Sequence, residues 1–152
     1  MIEAVPKGLF SGGFQLQLQD RCIAELDPSA WRERAEVSID GAGYRMYRQG
    51  LISGEFVLER NGEVVARAMK VSVFSDSFEL WIGSRSFTLR KESLWSRRFG
   101  LFEGNQRVGG VAPAGMFTRR TLIDLPREWP APIQTFVFWL ALVIWNRERS
   151  AS

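Results

Sequence analysis

Ile133-Gln134-Thr135-Phe136-Val137-Phe138-Trp139-Leu140-Ala141-Leu142-Val143-Ile144-Trp145 is the stretch whose destination decides the fold. Apart from Gln134 and Thr135, every residue in it is apolar. Pro126, Pro130 and Pro132 precede it, and proline suits the first turn of a helix. Asn146-Arg147-Glu148-Arg149 follows, a basic end that complements the negative pole of a helix. The pattern predicts a helix over about residues 132–147. A membrane span needs about 20 predominantly apolar residues, whereas runs of about 10 to 14 are more often core helices. An amphipathic surface helix needs a polar stripe, and residues 136–145 have none. Apolarity on every face predicts full burial, so no transmembrane span is expected.

The residues before this helix read as strands. Phe14-Gln15-Leu16-Gln17-Leu18 alternates apolar and polar, the period of a half-buried strand. Gln19-Asp20 turns it into residues 22–26. Asp27-Pro28-Ser29 resembles a helix start, with room for about two turns before Val37-Ser38-Ile39 resumes the alternation. Asp40-Gly41 marks the next turn, and residues 44–47 the next strand. Then Phe56-Val57-Leu58, Phe78-Glu79-Leu80 and Phe99-Gly100-Leu101 each open a hairpin, at spacings of 22 and 21 residues. Their turns are Asn61-Gly62, Gly83-Ser84 and Gly104-Asn105, and their returns run over residues 64–73, 86–90 and 107–112. Asn-Gly tolerates the positive φ angles of a type I′ turn. Residues 117–123 add a last strand.

About twelve strands in a meander predict a single mainly-β domain, an antiparallel barrel closed on itself. Eight strands enclose a space that side chains alone can fill; a larger barrel needs a filler. The apolar helix is the candidate, so the expected architecture is a barrel of hairpins around a central buried C-terminal helix.

Composition excludes several chemistries. The chain has no histidine, which removes Ser-His-Asp and Cys-His nucleophile pairs and histidine metal sites. Cys22 is the single cysteine, so no intrachain disulfide or thiolate zinc site is expected; in an alternating strand it reads as a small buried hydrophobe. Asp20, Asp40, Asp76 and Asp124 lie in separate turns without calcium-loop spacing. Gly109-Gly110 precedes neither a Lys-Ser/Thr nor a helix, so it marks a bulge or close backbone approach, not a phosphate loop. No catalytic residues, metal or cofactor are assigned, and an enzyme is not expected. Residues 1–10 lack the apolar core of a signal peptide, which points to the cytoplasm.

The hairpins opened by Phe56, Phe78 and Phe99, with Lys70 and Lys91 closing two returns, together with the apolar helix, resemble the tubby / phospholipid-scramblase / LURP-one-related superfamily. The stretch from Asp124 through Leu125-Pro126-Arg127-Glu128-Trp129-Pro130 to Phe136 is similar to the tail of small bacterial members. The resemblance covers about residues 14–147. It implies a twelve-stranded barrel around a central hydrophobic helix. It also implies a link to lipid, since tubby domains bind phosphoinositides through basic side chains and scramblase-type members act at membranes. No phosphoinositide motif and no acidic calcium loop is present, so no family site transfers residue by residue.

Seventeen of the 20 basic residues are arginine, and the formal charge is +3. Guanidinium groups bind phosphates through a planar fork. The candidate anion- or lipid-binding residues are Arg90, Lys91, Arg97, Arg98, Arg119 and Arg120, which form one patch if their hairpins are neighbours. Adjacent strand residues face opposite sides, so one of each pair is expected to point outward. Trp81 and Trp95 flank this region and suit a lipid interface. With 17 acidic residues interspersed, no nucleic-acid partner is expected. The expected function is therefore a non-enzymatic module for anionic phospholipid at the inner membrane surface; the alternative is a structural or protein-interaction domain forming a homo-oligomer.

Overall fold

The protein is described from a computed structural model covering residues 1–8, 12–27, 33–50, 54–72 and 75–151. Its strands are β1 (Ile2–Pro6), β2 (Phe14–Leu18), β3 (Arg21–Leu26), β4 (Arg34–Ile39), β5 (Ala42–Gln49) and β6 (Glu55–Arg60). They continue as β7 (Glu63–Lys70), β8 (Phe78–Ile82), β9 (Arg85–Lys91), β10 (Phe99–Glu103), β11 (Gln106–Pro113) and β12 (Thr121–Asp124). One helix, α1 (Ala131–Ala151), follows. Every strand pairs antiparallel with its chain neighbours, and β1 pairs with β12 through Ile2↔Ile123 and Ala4↔Thr121, closing the barrel.

Turn chemistry sets the hairpins. Asn61-Gly62 has φ of 52° and 82°, both positive as a type I′ turn requires, and Gln19-Asp20 and Asp40-Gly41 share that conformation. Inward positions carry the apolar set, including Phe14, Leu16, Val37, Ile39, Phe56, Leu58, Phe78, Leu80, Phe99 and Leu101, all buried. Outward positions such as Arg34, Glu36 and Ser38 are exposed. An apolar interior and a charged exterior are the reverse of a barrel that crosses a membrane with its strands.

Residues 133–145 of α1 are buried without exception. Three contacts place the helix on the barrel axis: Phe138 meets Phe14 of β2 at 5.3 Å, Trp139 meets Phe56 of β6 at 5.7 Å, and Trp145 meets Phe99 of β10 at 5.9 Å between ring centroids. These strands stand four apart in the barrel order, so the helix is gripped from three sides. The two polar residues of its buried stretch are satisfied locally, Gln134 Nε2 donating to the Trp129 carbonyl (2.9 Å) and Thr135 Oγ1 to the Ala131 carbonyl (2.8 Å). The helix runs one turn past the expected end at residue 147, and near that end Glu33 pairs with Arg147 and Lys91 with Glu148.

The structure corrects several sequence expectations. β1 was not expected; its Ile2 and Ala4 point inward and complete the closure. The strand expected over residues 117–123 starts only at Thr121, and the one expected over 64–73 ends at Lys70, with Val73 outside the described residues. In both, apolar loop residues imitate a continuing strand: Val71 and Phe117 are exposed. The short helix expected after Asp27 falls largely on residues outside the described ones.

Cys22 is exposed, not buried. The β2–β3 register slips between Leu16↔Ala24 and Gln17↔Cys22, so Ile23 is an extra residue and Cys22 turns outward. Equivalent slips leave Val65 in β7 and Val108 in β11 unpaired.

Gly109 follows that last bulge, where β11 and β12 approach closely. A Cβ there would lie 2.4 Å from the Asp124 carbonyl oxygen and 3.1 Å from Leu125 Cα. Neither backbone atom can yield without separating the strands. Gly109→Ala is expected to cost roughly 3 kcal/mol, whereas Gly43→Ala, which meets nothing within 4 Å, is expected to change little. Chemical denaturation of both variants checks the contrast.

Candidate functional site

The meander gives the barrel two unlike rims. One carries the tight turns at residues 19–20, 40–41, 61–62, 83–84 and 104–105, and the start of α1. The other carries the longer connections and the C-terminal end of α1. Three of those connections, residues 71–77, 92–98 and 114–120, share one construction. The first residue's N–H donates to the last residue's carbonyl: Val71 to Ser77 (2.9 Å), Glu92 to Arg98 (2.9 Å), Ala114 to Arg120 (2.8 Å). A hydroxyl inside each loop accepts the last residue's N–H: Ser75 Oγ from Ser77 (3.0 Å), Ser96 Oγ from Arg98 (2.9 Å), Thr118 Oγ1 from Arg120 (3.0 Å). Such hydroxyl-to-backbone bonds define the loop's conformation without help from a sheet.

Arg97-Arg98 and Arg119-Arg120 therefore occupy matching positions on neighbouring loops of one rim. The expectation that one of each pair points inward fails here, because both pairs sit just before a strand and strand alternation does not apply. Arg97, Arg98 and Arg120 are exposed and Arg119 is half-buried. Arg98 pairs with Glu92 (3.4 Å), a carboxylate shared with Arg107 (2.9 Å). Arg120 Nε donates to Glu3 (2.6 Å), and Arg119 donates to the Gly8 carbonyl. The Arg97 guanidinium lies 5.2 Å from the Trp145 ring, while the Trp145 indole N–H donates to the Arg97 carbonyl (3.1 Å), tying this loop to the helix end. Among the described residues, Arg97 and Arg119 have no carboxylate partner.

The other two candidates separate from this group. Alternation does hold in β9: Arg90 lies outside, its guanidinium 3.9 Å above the Phe102 ring. Lys91 turns inward, its side chain 11% exposed, and pairs with Glu148 and Asp76 (3.7 Å). It anchors the end of α1 and is closed to a ligand. A second ionic cluster does the same across the rim, with Glu33 taking Arg147 and Arg48 (3.1 Å). Burial, and then the nearby Arg147 charge, holds the Lys70 ammonium pKa below its ordinary value.

The two tryptophans also part company. Trp81 lies on the outer wall near the tight-turn rim, in a shallow groove with Val64 and Met69, whereas Trp95 stands on the arginine-bearing loop. Asp20 and Asp40 occupy turn positions with positive φ, as turn chemistry implies. No helix among the described residues is long and apolar enough to cross a membrane. No protein-family model, curated protein or solved structure matches the chain.

Proposed function

We propose that this protein is a non-enzymatic barrel module that binds anionic phospholipid headgroups through Arg97, Arg98, Arg119 and Arg120, acting in the cytoplasm at the inner membrane surface. The observation that carries this reading is the matched placement of two arginine pairs on neighbouring loops of one rim, each held by a Ser or Thr hydroxyl. Guanidinium groups on loops closed in the same way offer forked donors to phosphate oxygens, which compete with Glu92 for Arg98 and with Glu3 for Arg120. The twelve-stranded barrel around a buried helix is also the architecture implied by the tubby / phospholipid-scramblase / LURP-one-related resemblance, which supports placing the chain with that superfamily. Co-sedimentation with vesicles tests the reading. The protein is expected to pellet with phosphatidylcholine vesicles containing about one-third phosphatidylserine, and to stay in solution with phosphatidylcholine alone at physiological salt. Equal recovery from both would remove the proposal.

A further inference from the structure

The loops that carry the arginine pairs also carry the most exposed large apolar side chains among the described residues. Leu94 is 88% exposed, Trp95 95%, Met116 87% and Phe117 100%. In each loop the apolar pair takes the third and fourth of seven positions, farthest along the chain from both strands, and the arginine pair takes the last two. The loops are closed by the same backbone and hydroxyl bonds, so these tips are presented by a defined scaffold. Two adjacent loops with large apolar tips form an apolar surface rimmed by charge, the pattern of a docking site.

The order recurs along the chain. An apolar pair followed by Ser or Thr appears at Leu9-Phe10-Ser11, Leu51-Ile52-Ser53, Val73-Phe74-Ser75, Leu94-Trp95-Ser96 and Met116-Phe117-Thr118, the last three at spacings of 21 and 22 residues. Most residues of the first three lie outside the described ones, so the recurrence is a fact of sequence.

We propose that this rim docks end-on to an anionic bilayer, with Leu94, Trp95, Met116 and Phe117 inserted below the headgroups and the arginines level with the phosphates. The axis of α1 then stands along the membrane normal. This rests on the headgroup reading above and adds the inserted apolar tips, the depth and the orientation. Amphipathic insertion of this kind reaches about 5–10 Å, and aromatic side chains favour that boundary. A second copy of the chain fits less well, since two such rims facing each other would oppose arginine pairs to arginine pairs.

The test combines one variant and one optical readout. Leu94, Trp95, Met116 and Phe117 are replaced together by serine. All four face solvent, so an unchanged thermal melt is expected. Binding to the phosphatidylserine-containing vesicles is expected to weaken at least tenfold at physiological salt. Separately, lipids brominated on the acyl chains are expected to quench the wild type more than Trp95→Phe, the difference reporting Trp95 itself. Salt-sensitive binding with no quenching of Trp95 and no loss in the serine variant overturns insertion while leaving the headgroup reading intact. Absence of binding to either vesicle overturns both. Lipid-independent self-association that the serine variant abolishes assigns the tips to a second copy and overturns the proposal.

Discussion

Removal of the chain from Ile133 onward is expected to abolish cooperative folding. Residues 136–145 bury their side chains completely or nearly so. At roughly 2 kcal/mol for each large apolar side chain, their burial is worth on the order of 20 kcal/mol before entropy costs. That exceeds the whole net stability of a typical domain, about 5–15 kcal/mol. The truncated wall would leave Phe14, Phe56 and Phe99 facing a lumen without the helix rings they pack against. Relaxation cannot repair this, because the lumen is lined by twelve strands whose pairing holds them apart. Circular dichroism of the truncation should show no sigmoidal thermal transition. A soluble form that melts cooperatively would mean that the strands alone specify the barrel.

The second large effect concerns binding. Replacing Arg97, Arg98, Arg119 and Arg120 together with glutamine is expected to weaken attachment to phosphatidylserine-containing vesicles by about a hundredfold. Each basic residue near an anionic surface is worth about 1 kcal/mol, so four unpartnered ones would approach 4 kcal/mol. Arg98 and Arg120 are already partly neutralised by Glu92 and Glu3, which brings the total nearer 3 kcal/mol, or roughly two decades in affinity. Stability should change little, since exposed ion pairs are worth about 0–1 kcal/mol each. The loss should shrink as salt rises, because these charges are exposed to screening. A folded glutamine variant that binds as tightly as the wild type would move the anion site elsewhere.

The buried helix and most hairpins were legible in the sequence because each rests on local chemistry. All-round apolarity from Phe136 to Trp145 admits few destinations, and Asn61-Gly62 and Asp40-Gly41 announce their turns. The failures share a cause, which is that pairing partners are not local. Ile2 and Ala4 become a strand only because β12 arrives from the far end of the chain to pair with them. Cys22 faces outward because the partner strand slips by one residue at Ile23. Val71 and Phe117 extend the apolar alternation of their strands, though they belong to loops. The arginine pairs stand out by composition and Trp95 as a candidate interface residue, whereas Phe117 continues an expected strand, so only the barrel's two-rimmed topology brings tips and arginines together.

The position of α1 in the chain has a consequence for biogenesis. All twelve strands leave the ribosome before the element that fills their interior, and the two strands that close the barrel, β1 and β12, are separated by more than a hundred residues. Nascent hairpins thus emerge with their apolar faces uncovered and no core to fold onto. Maturation must wait until synthesis has passed the helix, and the high sequence separation of its contacts makes that step slow. A sharp gain in protease resistance once residue 145 is outside the exit tunnel is the behaviour expected from such an order of synthesis.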